Sequence, residues 1–307
     1  PCKVKLCIDI YGNFILTEKG HGIRFMYIKI GKNTRNFYCH KNHGDIYMKF
    51  DNKKIFETAL AQSAIDCGCS AEDFLSAENK IFISKKDEGA RANLPLPFEC
   101  DLVSYGYNIV AQTSGRTFDD VKDYINKYPT ERCFETPNMN VLNDKLLKYG
   151  LKVCFMAEYF LPDVTKVQKF SCDYETKVLF KEDFKELYKP EWGNALCEAR
   201  KEKDVIGVGA YDGQKLIALA GASADCDTMY QIGIDVLPEY RRRGIGTALI
   251  SRLTEEIFAL GKVPFYCAAW SNIKSVKSAL KCGYRPAWVE LTARDIEFVD
   301  KMNGSTL

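Results

Sequence analysis

The sequence contains no apolar run near the roughly 18 residues that a membrane span requires. It also lacks an excess of either charge, since 43 basic and 41 acidic residues leave a formal net charge of +2. A nearly neutral chain has no overall field to attract nucleic acid or an anionic membrane, so any anion site must be local. We therefore expect a globular protein that binds neither nucleic acid nor a membrane.

We expect neither a leader sequence nor a disulfide framework. The first residues, PCKVKLCIDIYGNF, have no apolar h-region and no small-residue cleavage site, so we expect a cytoplasmic protein. The 13 cysteines are odd in number and scattered, which favours reduced thiols. Cys67 and Cys69 have no second pair at zinc-site spacing. Cys39, His40 and His43 leave a metal site open, but the chain has only three histidines, and a loop without metal is favoured.

The pattern of apolar residues predicts alternating elements. Short β-branched and aromatic runs fill the start of the chain and predict antiparallel strands. Three segments then have helical spacing and two read as strands: helices over residues 51–68, 117–128 and 138–150, and strands around 101–114 and 151–161. This composition predicts an α/β protein with a mixed sheet (α+β).

No periodicity is visible over residues 162–175, which we interpret as a linker. The expected division is an N-terminal α/β domain of unknown role over residues 1–165 and a second domain over residues 175–307. The predicted order of elements in residues 102–150 resembles that in residues 229–283. A degenerate internal repeat is therefore an open possibility.

The second domain has clearer signals. Residues 180–200 read as helix with a break at Pro190, and Asp212-Gly213 is a strong hairpin signal between two strands. An alternating strand then ends before Pro238, and a helix follows to a stop at Gly261. The remaining predicted elements are a strand over residues 263–270, a helix over 272–283 and a strand over 284–294.

The stretch LPEYRRRGIGTAL, residues 237–249, joins that strand to that helix. Glycines allow a backbone to approach a ligand closely, and the first turn of a helix has free N–H groups and a positive dipole end. Three arginines add positive charge, so the turn is suited to a phosphate. No GxxxxGK[ST] loop is present, nor a GxGxxG with an acidic partner about 20 residues on. A basic surface patch before an ordinary tight turn is the alternative.

The same stretch resembles the acyl-CoA-binding motif of the GNAT N-acetyltransferase superfamily, through Val236, Pro238, Arg241, Gly244 and Gly246. Downstream, SNIKSVKSALKCGY is similar to the second motif of that family, with its asparagine, its small residue three positions on and its final Gly-Tyr. The resemblance covers roughly residues 190–295 and does not extend to the N-terminal half.

The resemblance implies a GNAT fold and direct transfer of an acetyl group from acetyl-CoA to an amine, without a metal. It implies that the cofactor binds at the strand end, the turn and the second motif, through Ile234, Val236, Arg241, Arg242, Arg243, Gly244, Ile245, Gly246, Thr247, Asn272 and Ser275. A backbone N–H near residues 234–236 would polarise the thioester carbonyl.

The acid and the base are harder to place. The position seven residues after Asn272, where many members of the family have a catalytic tyrosine, is Ala279. The candidates that remain are Tyr230, Asp227 and Tyr284, although packing suits both tyrosines and a solvated loop suits Asp227. Cys267 is expected to be a core thiol rather than a nucleophile.

The acceptor is expected to be a small molecule or a peptide amine, and a homodimer is possible because many members of the superfamily dimerise. Two other functions stay open. The missing catalytic residues are compatible with a non-catalytic acyl-CoA-binding sensor or regulatory module. The YRRRG segment suggests nucleic-acid binding, which the low net charge disfavours.

Overall fold

The computed structural model describes the backbone of residues 5–8, 14–17, 25–30 and 33–38, and it describes residues 50–304 with their side chains. The chain divides into two compact units, Pro1–Lys49 and Phe50–Leu307. The first contains four antiparallel strands paired in sequence order. These are β1 (Lys5–Ile8), β2 (Phe14–Thr17), β3 (Phe25–Ile30) and β4 (Asn33–Tyr38). Antiparallel strands at the start of the chain are thus confirmed, while Cys39, His40 and His43 lie outside the described residues.

The second unit is built on a sheet of ten described strands in the order β5-β7-β6-β14-β8-β13-β12-β11-β10-β9. The pairs β5–β7 and β12–β13 are parallel and the other pairs are antiparallel, which confirms the predicted mixed sheet. The strands are β5 (Lys80–Ile83), β6 (Cys100–Ser104), β7 (Val110–Thr113), β8 (Leu151–Pro162), β9 (Glu175–Phe180), β10 (Asp204–Asp212), β11 (Lys215–Ser223), β12 (Met229–Val236), β13 (Val263–Ala269) and β14 (Tyr284–Asp295).

The helices of this unit begin and end where local signals predict. They are α1 (Asn52–Cys67), α2 (Phe118–Lys127), α3 (Thr136–Leu147), α4 (Ile245–Ala259), α5 (Ile273–Lys281) and α6 (Ile296–Gly304). Asp51 caps α1 by accepting a hydrogen bond from the Lys54 N–H at 2.7 Å, and Gly68 ends it with φ +64°. Glycine tolerates this left-handed conformation, which explains why the helix ends there. Only α6 had no counterpart among the predicted helices.

Two apolar clusters occupy different parts of the sheet. One joins α4 to strands β10–β13, with Leu249, Leu253 and Ile257 fully buried. The other joins α2 and α3 to the strands at the opposite end. A smaller cluster that includes Trp192 and Leu219 covers the face of β10 and β11 opposite α4. Strand β11 therefore has apolar side chains packed against both of its faces.

Two predicted elements are wrong. The single strand expected around residues 101–114 is a hairpin of β6 and β7, because Ser104 Oγ donates to the Asn108 carbonyl (2.6 Å) and accepts from the Gly106 N–H (3.1 Å). Residues 180–200, expected to be helical, form three short 3₁₀ turns: Lys181–Phe184, Pro190–Trp192 and Glu198–Arg200. There the backbone N–H groups of Asn194 and Ala195 bind the Asp235 carboxylate (2.8 and 2.9 Å) instead of helical carbonyls.

The sheet runs through both predicted domains. Strand β14 lies between β6 and β8, and β8 lies between β14 and β13. Residues 163–174, part of the expected linker, contain no helix or strand. The order of elements in residues 102–150 is two strands and then two helices, so it gives the possible repeat no support. Within the described ranges, none of the helices has the length and apolar character needed to cross a bilayer.

Candidate functional site

The turn between β12 and α4 has an unusual backbone. Gly244 adopts φ +77° at the N-cap of α4, and Arg242 adopts φ +65°, a left-handed conformation that is rare outside glycine. No protein acceptor is found, in the part of the chain that the structure describes, for the backbone N–H groups of residues 242–247. Six consecutive donors therefore point away from the protein's own acceptors, at the positive end of a 15-residue helix.

The three arginines of this turn have different surroundings, although all three side chains are exposed. Arg241 donates from Nε to the Val236 carbonyl at 2.9 Å, which ties the turn to the end of β12. Arg243 points toward Tyr174 and Glu239, donating to the Tyr174 hydroxyl at 2.7 Å and to the Glu239 carbonyl at 3.1 Å. Arg242 makes no hydrogen bond or ion pair within the described residues. None of the three guanidinium charges is paired with a carboxylate among the described residues, and Arg242 is the one whose N–H groups have no protein acceptor there.

A cleft opens beside the turn because two parallel strands separate. Strands β12 and β13 pair from Met229↔Val263 to Ile232↔Tyr266, and β12 then continues to Val236 without a partner on that side. The cleft has a volume of about 830 Å³. It is lined by ten of the eleven residues predicted for the cofactor: Ile234, Val236, Arg241, Arg242, Gly244, Ile245, Gly246, Thr247, Asn272 and Ser275. The eleventh, Arg243, does not line it.

The start of α5 forms the opposite wall. Asn272 caps the helix by accepting a hydrogen bond from the Ser275 N–H at 3.2 Å, as its position in the sequence predicts. The Ser275 hydroxyl is 2.8 Å from that of Tyr266, on β13. Lys274 and Lys277, which the sequence reading missed, also line this wall. The two lysines are three residues apart, a spacing that places them on the same face of a helix.

The three predicted catalytic residues lie away from the cleft. Tyr230 is half-buried near the start of β12, and burial raises the pKa of its hydroxyl, with a smaller contribution from Asp227. Asp227 is exposed in the loop before β12, and its carbonyl accepts a hydrogen bond from Lys262. Tyr284 is buried, with its hydroxyl 2.7 Å from that of Thr254. None of the three lines the cleft, and Ala279 is fully buried in the core.

Other side chains line the inner end of the cleft, where the two strands part. Gln231, Asp235, Tyr266 and Cys267 are found there, together with Asn194 from the segment between β9 and β10. Burial raises the pKa of the Cys267 thiol to about 11, so it is protonated at neutral pH and a poor nucleophile. Burial also raises the pKa of Tyr266, whose hydroxyl keeps its proton. The sequence offers no signal for Asn194, because its position depends on a contact 41 residues away.

The described residues hold no group of three or more histidine, cysteine, aspartate or glutamate side chains that is arranged to bind a metal ion. The ten cysteines whose side chains are described are all free. Among them, Cys67 is buried and Cys69 is partly exposed.

Comparison with known proteins supports the family resemblance. Residues 173–284 match the model of the "Acetyltransferase (GNAT) family". The comparison with curated proteins found no match.

Solved structures with a similar chain trace include three acetyltransferases. A GCN5-related N-acetyltransferase from Kribbella flavida shares 18% identity over 50% of this chain and 63% of its own, at a TM-score of 0.40. A GCN5-related N-acetyltransferase-like protein from Streptococcus suis shares 15% sequence identity over 52% of this chain and 69% of its own, with a TM-score of 0.39. An aminoglycoside N-acetyltransferase in complex with CoA shares 20% sequence identity over 38% of this chain and 90% of its own, with a TM-score of 0.30. This chain therefore spans less than two thirds of the Kribbella protein.

Proposed function

Because residues 173–284 form a domain of the GNAT acetyltransferase family, we propose that the protein transfers an acetyl group from acetyl-CoA to a primary amine of a small molecule or a peptide. The amine nitrogen attacks the thioester carbonyl directly, so that a C–N bond forms and the C–S bond breaks. The observation that carries the proposal is the row of backbone N–H groups at residues 242–247, which have no acceptor among the described residues and of which all but Arg243 belong to residues that line the cleft.

The residues along the cleft fit a coenzyme A group by their charge and hydrogen-bonding capacity. Backbone N–H groups at a helix N-terminus bind phosphate well, so residues 242–247 would hold the pyrophosphate. Arg242, together with Lys274 and Lys277 on the facing wall, adds positive charge. The free edge of β12 at residues 234–236 is able to pair with the amides of the pantetheine arm as another strand would. Acetyl-CoA itself supplies the activated thioester.

Chemistry at the inner end requires the leaving sulfur to gain one proton and the ammonium nitrogen to lose two, the first before the C–N bond forms and the second afterwards, which can restore the group that protonates the sulfur. Tyr266 is our candidate for protonating the sulfur, because it lines the cleft, keeps its proton at neutral pH and has Ser275 to position its hydroxyl. Water carries the first proton away from the amine, and a backbone N–H on the edge of β12 stabilises the negative charge that develops on the carbonyl oxygen. Tyr230, Asp227 and Tyr284 have no part in this mechanism.

Calorimetric titration of acetyl-CoA into wild-type protein and the Gly244→Glu variant tests the cofactor site. We expect at least a roughly 100-fold loss of affinity in the variant, because a carboxylate replaces the open approach to the N–H groups. The matched control is Gly213→Glu, since Gly213 has a similar φ of +60° and lies in the β10–β11 turn. The control should bind acetyl-CoA like wild type. A folded wild-type protein without detectable binding would contradict the proposal.

One observation favours a second function, that of a non-catalytic acyl-CoA sensor: the predicted catalytic side chains lie away from the cleft, and Ala279 occupies the usual position of the acid. Incubation with acetyl-CoA and a mixture of primary amines, followed by mass spectrometry, separates the two. An acetylated amine and stoichiometric free CoA indicate the enzyme. Tight binding without either product indicates the sensor.

A further inference from the structure

The segment of residues 192–196 lies across the sheet on the face opposite α4. Trp192 and Leu196, each 4% exposed, pack in one cluster with Leu219 of β11. The neighbours of Leu219 in β11, Ala218 and Ala220, pack in the other cluster, with α4. Since side chains alternate between the faces of a strand, the segment and α4 lie on opposite faces. The segment thus borders the cleft from the side that α4 does not cover.

Two glycines allow this backbone to lie directly on the strands. Gly221 of β11 and Gly233 of β12 are register partners. A Cβ added to Gly233 would be 1.8 Å from the Asn194 carbonyl oxygen, and one added to Gly221 would be 2.0 Å from that of Ala195. No side chain fits at either position without moving the segment, so these glycines set its distance from the sheet.

Asp235 holds the segment in place. Its carboxylate accepts hydrogen bonds from the Asn194 N–H (2.8 Å), the Ala195 N–H (2.9 Å) and the Asn194 side-chain amide (2.6 Å). Charge-assisted bonds of this kind are the stronger ones in proteins. Asp235 is therefore a positioning residue, which fixes where the Asn194 side chain meets the cleft.

Asn194 lines the cleft close to the point where β12 and β13 separate. Pairing between β12 and β13 ends at Ile232↔Tyr266, and Gly233 is the next residue. Asn194, Gln231 and Cys267 line this inner end. If the pantetheine arm follows residues 234–236, the acyl group lies against these side chains. Asn194 and Gln231 are polar amides, and with Asp235 and Tyr266, which also line this end, they make it polar and unfavourable for a long alkyl chain.

We propose that residues 192–196, positioned by Asp235, restrict the donor to an acyl-CoA with a short acyl group. This inference rests on the proposed use of acyl-CoA. The segment closes the inner end in two ways, by its backbone contact with the glycines and by the amide side chain of Asn194. Acetyl fits such a space, whereas each further methylene must displace the segment or lie against polar groups.

Calorimetric titrations of CoA, acetyl-CoA and butanoyl-CoA test the proposal without knowledge of the acceptor. In wild type we expect butanoyl-CoA to bind at least about 10-fold more weakly than acetyl-CoA, since one methylene in a shaped pocket typically changes the affinity by about 10- to 200-fold. Asp235→Asn removes the carboxylate, and Gly221→Ala moves the segment from a position outside the cleft lining. Both variants should reduce the ratio to about 3 or less, and in Gly221→Ala, which lies outside the cleft lining, the CoA affinity should stay within about 2-fold of wild type.

The controls are Asp144→Asn, at an exposed position of α3, and Gly115→Ala, where an added Cβ meets no atom within 4 Å. Both should keep the wild-type ratio. Unequal effects of the two test variants on folding do not obscure the result, because the ratio is measured within one folded protein. If CoA binds and the ratio is unchanged in both variants, or wild type shows no preference, the length restriction is wrong and the proposed function survives. If CoA does not bind wild type, both are wrong.

Discussion

The same side chain has opposite surroundings at two positions of the chain. One is Arg242, in the turn before α4, and the other is Arg91, between α1 and β14. Arg242 is exposed and has no partner within the described residues, and the backbone around it presents unpaired N–H groups. Arg91 is 4% exposed on its side chain and forms ion pairs with Asp66 at 2.5 Å and with Glu290 at 3.1 Å. One arginine is available to a ligand, while the other already has its anions from the chain.

The difference separates binding from folding. A buried carboxylate or guanidinium is costly unless it is paired, so loss of one member of the cluster of Asp66, Arg91 and Glu290 strongly destabilises the folded protein. The turn at Arg242 is solvated and leaves its donors to water, so its residues contribute little to stability. The sequence around each arginine does not distinguish the two roles, since both regions combine arginine with a nearby glycine.

The largest expected effect is on stability, in Arg91→Ala. Removal of the guanidinium leaves Asp66 and Glu290 as unpaired buried carboxylates, at a cost of about 3–5 kcal/mol in the free energy of unfolding. Urea unfolding followed by circular dichroism measures this. The control is Arg116→Ala, because Arg116 pairs with Glu99 at 3.0 Å while 48% exposed and should cost less than about 1 kcal/mol. Equal losses in the two variants would remove the contrast between buried and exposed arginines.

A second prediction divides the arginines of the turn. Arg242→Gln should weaken acetyl-CoA binding by about 10-fold, or about 1.4 kcal/mol, because one charge near the phosphates is lost. Arg243→Gln should change the affinity by less than about 2-fold, because Arg243 is engaged with Tyr174 and Glu239 outside the cleft lining. Calorimetry at low salt measures both. An equal loss in the two variants would mean that the turn attracts its ligand by general charge rather than through Arg242.

A third prediction concerns a pH dependence that belongs to the buried region. Asp101 is 1% exposed, and burial, with a smaller contribution from the Glu290 charge, raises its pKa well above 3.8. The folded state therefore holds this proton more tightly than the unfolded state does. The stabilisation is fully present below pH 3.8 and is lost as the pH rises toward the folded pKa.

Asp101→Asn should remove that pH dependence. The Thr292 hydroxyl donates to the Asp101 Oδ1 atom at 2.9 Å and can donate to the amide oxygen of asparagine in the same way. The free energy of unfolding of wild type relative to the variant should fall as the pH rises from about 4, by at most about 1.4 kcal/mol per pH unit. Urea titrations at several pH values measure the difference. A relative stability that rises with pH would show that Asp101 is ionised in the folded protein, and that burial does not dominate its environment.

Much of the fold follows from local signals in the sequence. The hairpin at Asp212-Gly213 is present with Gly213 at φ +60°, and α4 begins after Gly244 and ends before Gly261. Each of these signals acts within a few residues: a glycine in a left-handed conformation, or a stripe of apolar residues at helical spacing. The turn and the start of α5 are predictable for the same reason.

Residues 180–200 illustrate the opposite case. Their spacing favours helix, but Asp235, about 40 residues away, binds the Asn194 and Ala195 N–H groups, and the glycines of β11 and β12 accommodate the backbone. The catalytic candidates depend on distant contacts in a similar way. The family resemblance points to Tyr230 and Tyr284 by their positions relative to the motifs, whereas the cleft is lined by Tyr266, which a strand pairing places there.

The sequence by itself determined the local elements and the Arg-Gly turn, with its resemblance to the GNAT motif, because backbone conformation and helix termini depend on neighbouring residues. Only the tertiary structure decided that β8 and β14 complete a single sheet, that Arg242 is free while Arg91 is paired, and that Asn194 borders the cleft. These depend on contacts between residues far apart in the chain. Such contacts form because strands and buried charges must find partners once the chain is compact.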